Sequence, residues 1–145
     1  GPGEECRALF VAGVSDRFVG TVAPVWPQGN AIRLPNMHSR PQPDITLLRW
    51  RDDFYRGKRP TAEDVILLVE VSFSTLKYDS GVKLALYAEA GIPEYWIIDP
   101  EAGTADILFL ERGSYQLVMR SGSGHVAGSR LLAGFEISME ALLCE

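Results

Sequence analysis

The stretch from Val65 to Pro100, VILLVEVSFSTLKYDSGVKLALYAEAGIPEYWIIDP, limits what this chain can fold into more than any other. It opens on a continuous Val/Ile/Leu run from Val65 to Phe73, the pattern of a central strand covered on both faces. That run carries one carboxylate, Glu70, and a charge among apolar neighbours is costly unless it is paired or holds a metal. Ser80 to Ala90 follows as a helix with Leu84, Tyr87 and Ala88 on one stripe. Gly91 suits the left-handed position just past a helix end, Pro93 prevents continuation, and Asp79 is placed to cap the start. Lys83 and Tyr87 are four apart, so they share a face. Glu94 to Asp99 reads as a second buried strand, and a strand–helix–strand unit of this length favours a parallel, right-handed crossover.

Upstream of this unit, Leu9, Phe10, Val11, Val14, Phe18 and Val19 recur at three- and four-residue steps and predict a helix over Glu4 to Val19. Thr21 to Trp26 and Ala31 to Leu34 form a hairpin around Pro27, Gln28, Gly29 and Asn30, and Ile45 to Trp50 is a third strand. Arg49 to Pro60, RWRDDFYRGKRP, has five basic residues and three aromatics without an apolar period, which argues for a long loop or lid. Downstream, Ala105 to Leu110 and Tyr115 to Arg120 make a hairpin through Glu111-Arg112-Gly113-Ser114. SGSGHVAGS reads as a flexible connection, and Ser138 starts a short terminal helix.

A length of 145 residues with 46% apolar content is the size of one domain with one core, taken as residues 4–145. Gly1-Pro2-Gly3 resembles what a tag-removing protease leaves behind and is set aside. No apolar run approaches the ~20 residues that cross a bilayer, so a soluble, cytoplasmic protein is expected, with no membrane partner. Cys6 and Cys144 are too far apart for a CxxC or zinc pattern. His38 and His125 are too few for a histidine-based metal site, and neither GxGxxG nor GxxxxGK[ST] occurs. The net charge of −5 disfavours non-specific coating of nucleic acid but leaves room for a local basic cleft.

Asp44, in QPDITLL, heads one strand and Glu70 lies inside another, so two carboxylates can converge at one edge of the sheet. Magnesium takes oxygen ligands of this kind, with water and phosphate completing the set, and the Val71 carbonyl could add another. Such an ion polarises a phosphoryl oxygen and activates water, and a nearby lysine stabilises developing negative charge.

Pro43-Asp44 followed by Glu70-Val71-Ser72 resembles the PD-(D/E)XK motif. The blocks QPDITLL, EVSFSTLKYD and GVKLALYAEAGIPEYWIIDP, with the hairpin after them, are similar over about Pro41 to Tyr115 to the Uma-two-type domain of unknown function, a bacterial family of the restriction-endonuclease-like superfamily. The resemblance implies an α/β (α+β) fold: a mixed central sheet flanked by helices. It also implies Asp44 and Glu70 as metal-binding acids for Mg2+ or Mn2+ and nucleic acid as substrate, with DNA ahead of RNA; a homodimer is a separate expectation, tied to a fold without turnover. Ser72 departs from the pattern, because the superfamily has lysine there. Lys83 resembles the migrated lysine of other members, Lys77 is the fallback, and Tyr87 would orient a carboxylate. Family members usually carry, before the region of Glu4, a segment with an acidic residue that can join the metal site, and the resemblance here does not extend to it.

Other readings of the same residues stay open at this stage. Asp44 after a proline is also a common solvated turn residue. Lys83 could simply snorkel and Tyr87 could be core, while Asp79 suits a cap better than a catalytic acid. Arg56, Lys58 and Arg59, with Trp50, Phe54 and Tyr55 beside them, suit phosphate neutralisation and base stacking, or are a plain solvated insertion. Two function classes follow: a magnesium-dependent endonuclease hydrolysing phosphodiesters, or a nuclease fold without turnover that binds nucleic acid or protein.

Overall fold

The computed structural model describes residues 45–49, 51–53, 55, 57, 60–72, 80–122, 124–132 and 135–140. The expected N-terminal helix, the Thr21–Leu34 hairpin, and Asp44, Arg56, Lys58, Arg59, Lys77 and Asp79 lie outside them.

Among the described residues, five strands form one mixed sheet in the order β1-β2-β3-β4-β5. They are β1 (Ile45–Leu48), β2 (Val65–Val71), β3 (Glu94–Asp99), β4 (Thr104–Glu111) and β5 (Ser114–Ser121). β2 and β3 run parallel, with Glu70 opposite Ile97, and the other neighbours are antiparallel. The parallel pair needs a crossover, and α1 (Val82–Ala90) lies within it. Gly91 ends α1 at φ 80°, and its N–H and that of Ile92 close onto the carbonyls of the last turn. The residue that opens the helix is Gly81, which has no side chain to cap with; Asp79, the expected cap, lies outside the described residues.

The expected hairpin between β4 and β5 is present, and its tight turn places Arg112 at φ 51° and Gly113 at φ 81°. Two successive left-handed residues match the right-handed twist of the flanking strands. SGSGHVAGS, expected as a flexible connection, instead contains β6 (Val126–Gly128), which pairs with β7 (Glu136–Ser138). Ser138 is thus the last residue of a strand, and helical backbone begins at Met139.

The sheet separates two apolar layers. On one face Leu48, Leu68, Tyr95, Ile97 and Leu108 pack with Tyr87 and Ile92 around α1. On the other, Leu67, Val69, Trp96, Ile98 and Ile107 pack with Ala127, Phe135 and Met139 from the β6–β7 region. Tyr55 is set apart from a stacking surface on its loop: it is 4% exposed and its hydroxyl donates to the Arg49 carbonyl at 2.6 Å, while Trp50 and Phe54 lie outside the described residues. It also sits at φ 61°, a conformation that costs a non-glycine residue energy and is retained where the surroundings fix it. Burial pushes the phenols of Tyr55 and Tyr115 above their ordinary pKa, keeping both as donors.

The second face holds a carboxylate that the sequence reading passed over. Glu94 is 0% exposed. Its Oε2 accepts from Trp96 Nε1 at 2.6 Å, and its Oε1 accepts from Ser129 Oγ, Arg130 N and Leu131 N at 3.2, 3.0 and 2.9 Å. Three of these four donors tie the start of β3 to the segment leading into β7, and the fourth, from Trp96, fixes the carboxylate within β3. In Glu94→Gln one acceptor oxygen becomes an N–H group facing donors. We predict a loss of about 2–4 kcal/mol in urea denaturation; a loss under about 0.5 kcal/mol would mean that Glu94 does not hold this segment.

Candidate active site

Glu70 is the penultimate residue of β2 and shares a sheet face with Leu68 and Ile97, so its side chain points towards α1. It is 3% exposed. Two residues of α1 meet it: Lys83 Nζ donates to Oε2 at 3.2 Å and Tyr87 Oη donates to Oε1 at 3.0 Å. The four-residue spacing explains how one helix face supplies both. The Lys83 side chain keeps 21% of its surface exposed, so its stem follows the protein while its ammonium meets the carboxylate from the solvent side.

Tyr87 is held as firmly as the carboxylate it serves. It is fully buried, and its ring meets Tyr95 edge-on at 5.1 Å. Tyr95 in turn lies 5.9 Å from Tyr115, whose hydroxyl donates to the Ile92 carbonyl at 2.7 Å. This aromatic row fixes the helix over the sheet and thereby aims the Tyr87 hydroxyl. Core packing and support of Glu70 are the same role here.

Ser72, where lysine was expected, is 2% exposed, and its N–H donates to the Ile98 carbonyl at 2.8 Å. Val71 packs its side chain against the opposite layer, so any part it plays beside Glu70 falls to its backbone. At the sheet edge Ile45 pairs with Val69, the residue before Glu70. Among the described residues no group of three or more His, Cys, Asp or Glu side chains could hold a metal ion. The structure therefore brings together Glu70, Lys83 and Tyr87, while Asp44, Lys77 and Asp79 fall outside the description.

Chemically, the site offers a dehydrated carboxylate with both oxygens oriented and an ammonium at its outer edge. A carboxylate of this kind is a hard oxygen ligand, and the ammonium can stabilise negative charge that develops beside it. The buried glutamate missed by sequence reasoning, Glu94, is on the other face of the sheet. The signal that could have found it is an acidic residue two positions before tryptophan on a buried strand, where alternation puts both on one face.

Comparison with known proteins places this geometry in context. The model of the Uma2 family, described as "Putative restriction endonuclease", matches residues 23–140. A solved structure described as a "putative nuclease belonging to DUF820 from Anabaena variabilis ATCC 29413" superposes with a TM-score of 0.66 at 12% identity, covering 99% of this chain and 81% of that one. At that identity the likeness is one of fold. No curated protein matches the chain. With most of its length matched by the family model and a nuclease-like mixed sheet beneath the match, the chain belongs to the Uma2 family of restriction-endonuclease-like domains.

Proposed function

We propose that the protein is a metal-dependent endonuclease that hydrolyses phosphodiester bonds of nucleic acid, with Asp44 and Glu70 as metal-binding acids and Lys83 as the catalytic cation. The observation that carries this reading is the buried Glu70 carboxylate with Lys83 and Tyr87 on its two oxygens. Asp44 is supported by chain continuity: it precedes Ile45, which pairs with Val69 beside Glu70, and one peptide unit spans about 3.8 Å.

The donor set suits Mg2+ or Mn2+, which take carboxylate, backbone carbonyl and water oxygens; Asp44, Glu70 and the Val71 carbonyl would hold the ion. When bound, it supplies Lewis-acid polarisation of a phosphoryl oxygen and water activated at neutral pH. The chain's own residues do the rest. Lys83 orients the attacking water and stabilises the charge that gathers on the phosphoryl oxygens as the new P–O bond forms and the leaving oxygen departs. Tyr87 keeps Glu70 in one rotamer, and the aromatic row behind it removes slack. Duplex DNA is the substrate we favour. Arg56, Lys58 and Arg59 would contact its backbone.

Asp44→Asn and Glu70→Gln are each expected to lower magnesium-dependent cleavage by at least about a hundredfold, a loss typical of removing one electrostatic element. Cleavage at the wild-type rate in either variant sinks the assignment. Reversing Arg56, Lys58 and Arg59 to Glu is expected to weaken binding of a DNA duplex and flatten its salt dependence. An unchanged slope returns that loop to a plain connection.

A second reading draws on the Lys83–Glu70 ion pair itself, which satisfies the carboxylate without a metal, and on the serine at position 72. In it the fold binds nucleic acid or protein without turnover. Calorimetry with Mn2+ separates the two readings, because the catalytic one requires a binding heat that Glu70→Gln removes. The pair also has a stability signature in metal-free buffer. Lys83→Met alone should cost about 3 kcal/mol by leaving a buried charge short of its cation, and adding Glu70→Gln should recover part of that loss. Strictly additive losses would show that the two side chains do not interact.

A further inference from the structure

Pairing across the sheet aligns Glu70 with Ile97, Ile97 with Asp106, and Asp106 with Arg120. Residues opposite one another on neighbouring strands share a face, so Asp106 and Arg120 lie on the α1 side, in the same transverse row as Glu70. Strands are spaced about 4.8 Å apart, which puts the Arg120 backbone roughly 14 Å from that of Glu70.

Arg120 is on this face only because β5 is irregular. Tyr115 packs on the α1 side and Leu117 pairs with Leu108, which belongs to that side, whereas Met119 pairs with Ile107, which belongs to the other layer. The register shift leaves Val118 as the extra residue of a bulge. Without it, strict alternation would turn Met119 towards α1 and Arg120 away. Bulges re-aim side chains in this manner and are common beside active sites.

The side chain is also fixed. Asp106 holds it in a fork, Nε to Oδ1 at 2.6 Å and Nη2 to Oδ2 at 2.9 Å. The Arg120 side chain remains 61% exposed while that of Asp106 is 27% exposed. Among the described residues Nη1 makes no other bond, so its hydrogens face solvent from a pre-oriented plane. As a stability device, an exposed ion pair of this kind contributes little, because solvent screens it. As an oriented donor for a phosphate it needs no further ordering on binding.

We propose that Arg120, held by Asp106, is a contact for a backbone phosphate of the nucleic acid strand, a few nucleotides from the bond cleaved at Glu70. The inference rests on the nuclease reading above and adds a positioning residue on a strand not otherwise part of the site. The test is fluorescence anisotropy of a labelled DNA duplex in Ca2+ over a series of salt concentrations, with cleavage in Mg2+ measured alongside. Arg112, on the hairpin turn between β4 and β5 at the opposite end of the sheet, provides a control for the loss of one charge.

Arg120→Gln should raise Kd about fivefold and lower the salt slope by roughly one phosphate contact, while Arg112→Gln leaves the slope unchanged. Arg120→Lys should retain the slope but not the full affinity, because lysine lacks the fork. In cleavage, Arg120→Gln should raise KM with little change in kcat. Equal behaviour of Arg120→Gln and Arg112→Gln, with wild-type cleavage intact, overturns this inference and leaves the nuclease reading standing. A wild-type protein that neither binds nor cleaves the duplex overturns both.

Discussion

The ion pair between Glu70 and Lys83 is the constraint on which the arrangement of this protein turns. A carboxylate on a strand buried on both faces would be prohibitively placed alone. The chain resolves this by passing from β2 through α1 before returning to the sheet, so that the same crossover that makes β2 and β3 parallel also supplies the cation and the phenol. The helix is short, and among the described residues its start has no side-chain cap. Its place over the sheet depends on Tyr87, Ile92 and the Tyr95–Tyr115 row. Stability of the crossover and geometry of the site are therefore one problem with one solution.

The two buried glutamates show how different partners give one residue type different uses. Glu94 is satisfied by four neutral donors, two of them backbone N–H groups fixed by the segment they belong to. Nothing in that set can move away without breaking the packing of Trp96 and Phe135, whose rings meet at 6.1 Å. Glu70 instead meets a partly exposed lysine on a flexible stem. A carboxylate whose charge partner reaches solvent can exchange that partner; one enclosed by backbone donors is structural.

How much of this was legible in the sequence follows from which signals are local. β2, α1, β3 and the β4–β5 hairpin could be read because each carries its own period or punctuation: an unbroken Val/Ile/Leu run, Gly91 before Pro93, Gly113 in a two-residue turn. The Lys83–Tyr87 spacing put both on one helix face, while the family resemblance implied that this face meets Glu70. β6 and β7 were hidden because a Gly/Ser-rich composition resembles a linker, and three-residue strands pair only by virtue of the layer beneath them. Burial of Tyr55 reversed a composition argument, since an aromatic among cations can be an anchor for a loop as easily as a surface. The bulge at Val118 left no trace at all. It is a property of two strands together, not of either one.

That last point bears on how an acidic chain can present a surface to a phosphate-rich ligand. A net charge of −5 spread over the molecule acts weakly beyond the Debye length, about 10 Å at 0.1 M salt. Attraction at shorter range is decided by which cations face the ligand and how they are held. Lys83 and Arg120 share the α1 side of the sheet, and each is bound to a carboxylate. Such pairing removes long-range pull and with it general stickiness to polyanions, while leaving oriented N–H donors where contact is made. An acidic protein of this design would discriminate by geometry at the site and not by bulk charge, and that is what distinguishes a placed cation from a basic surface.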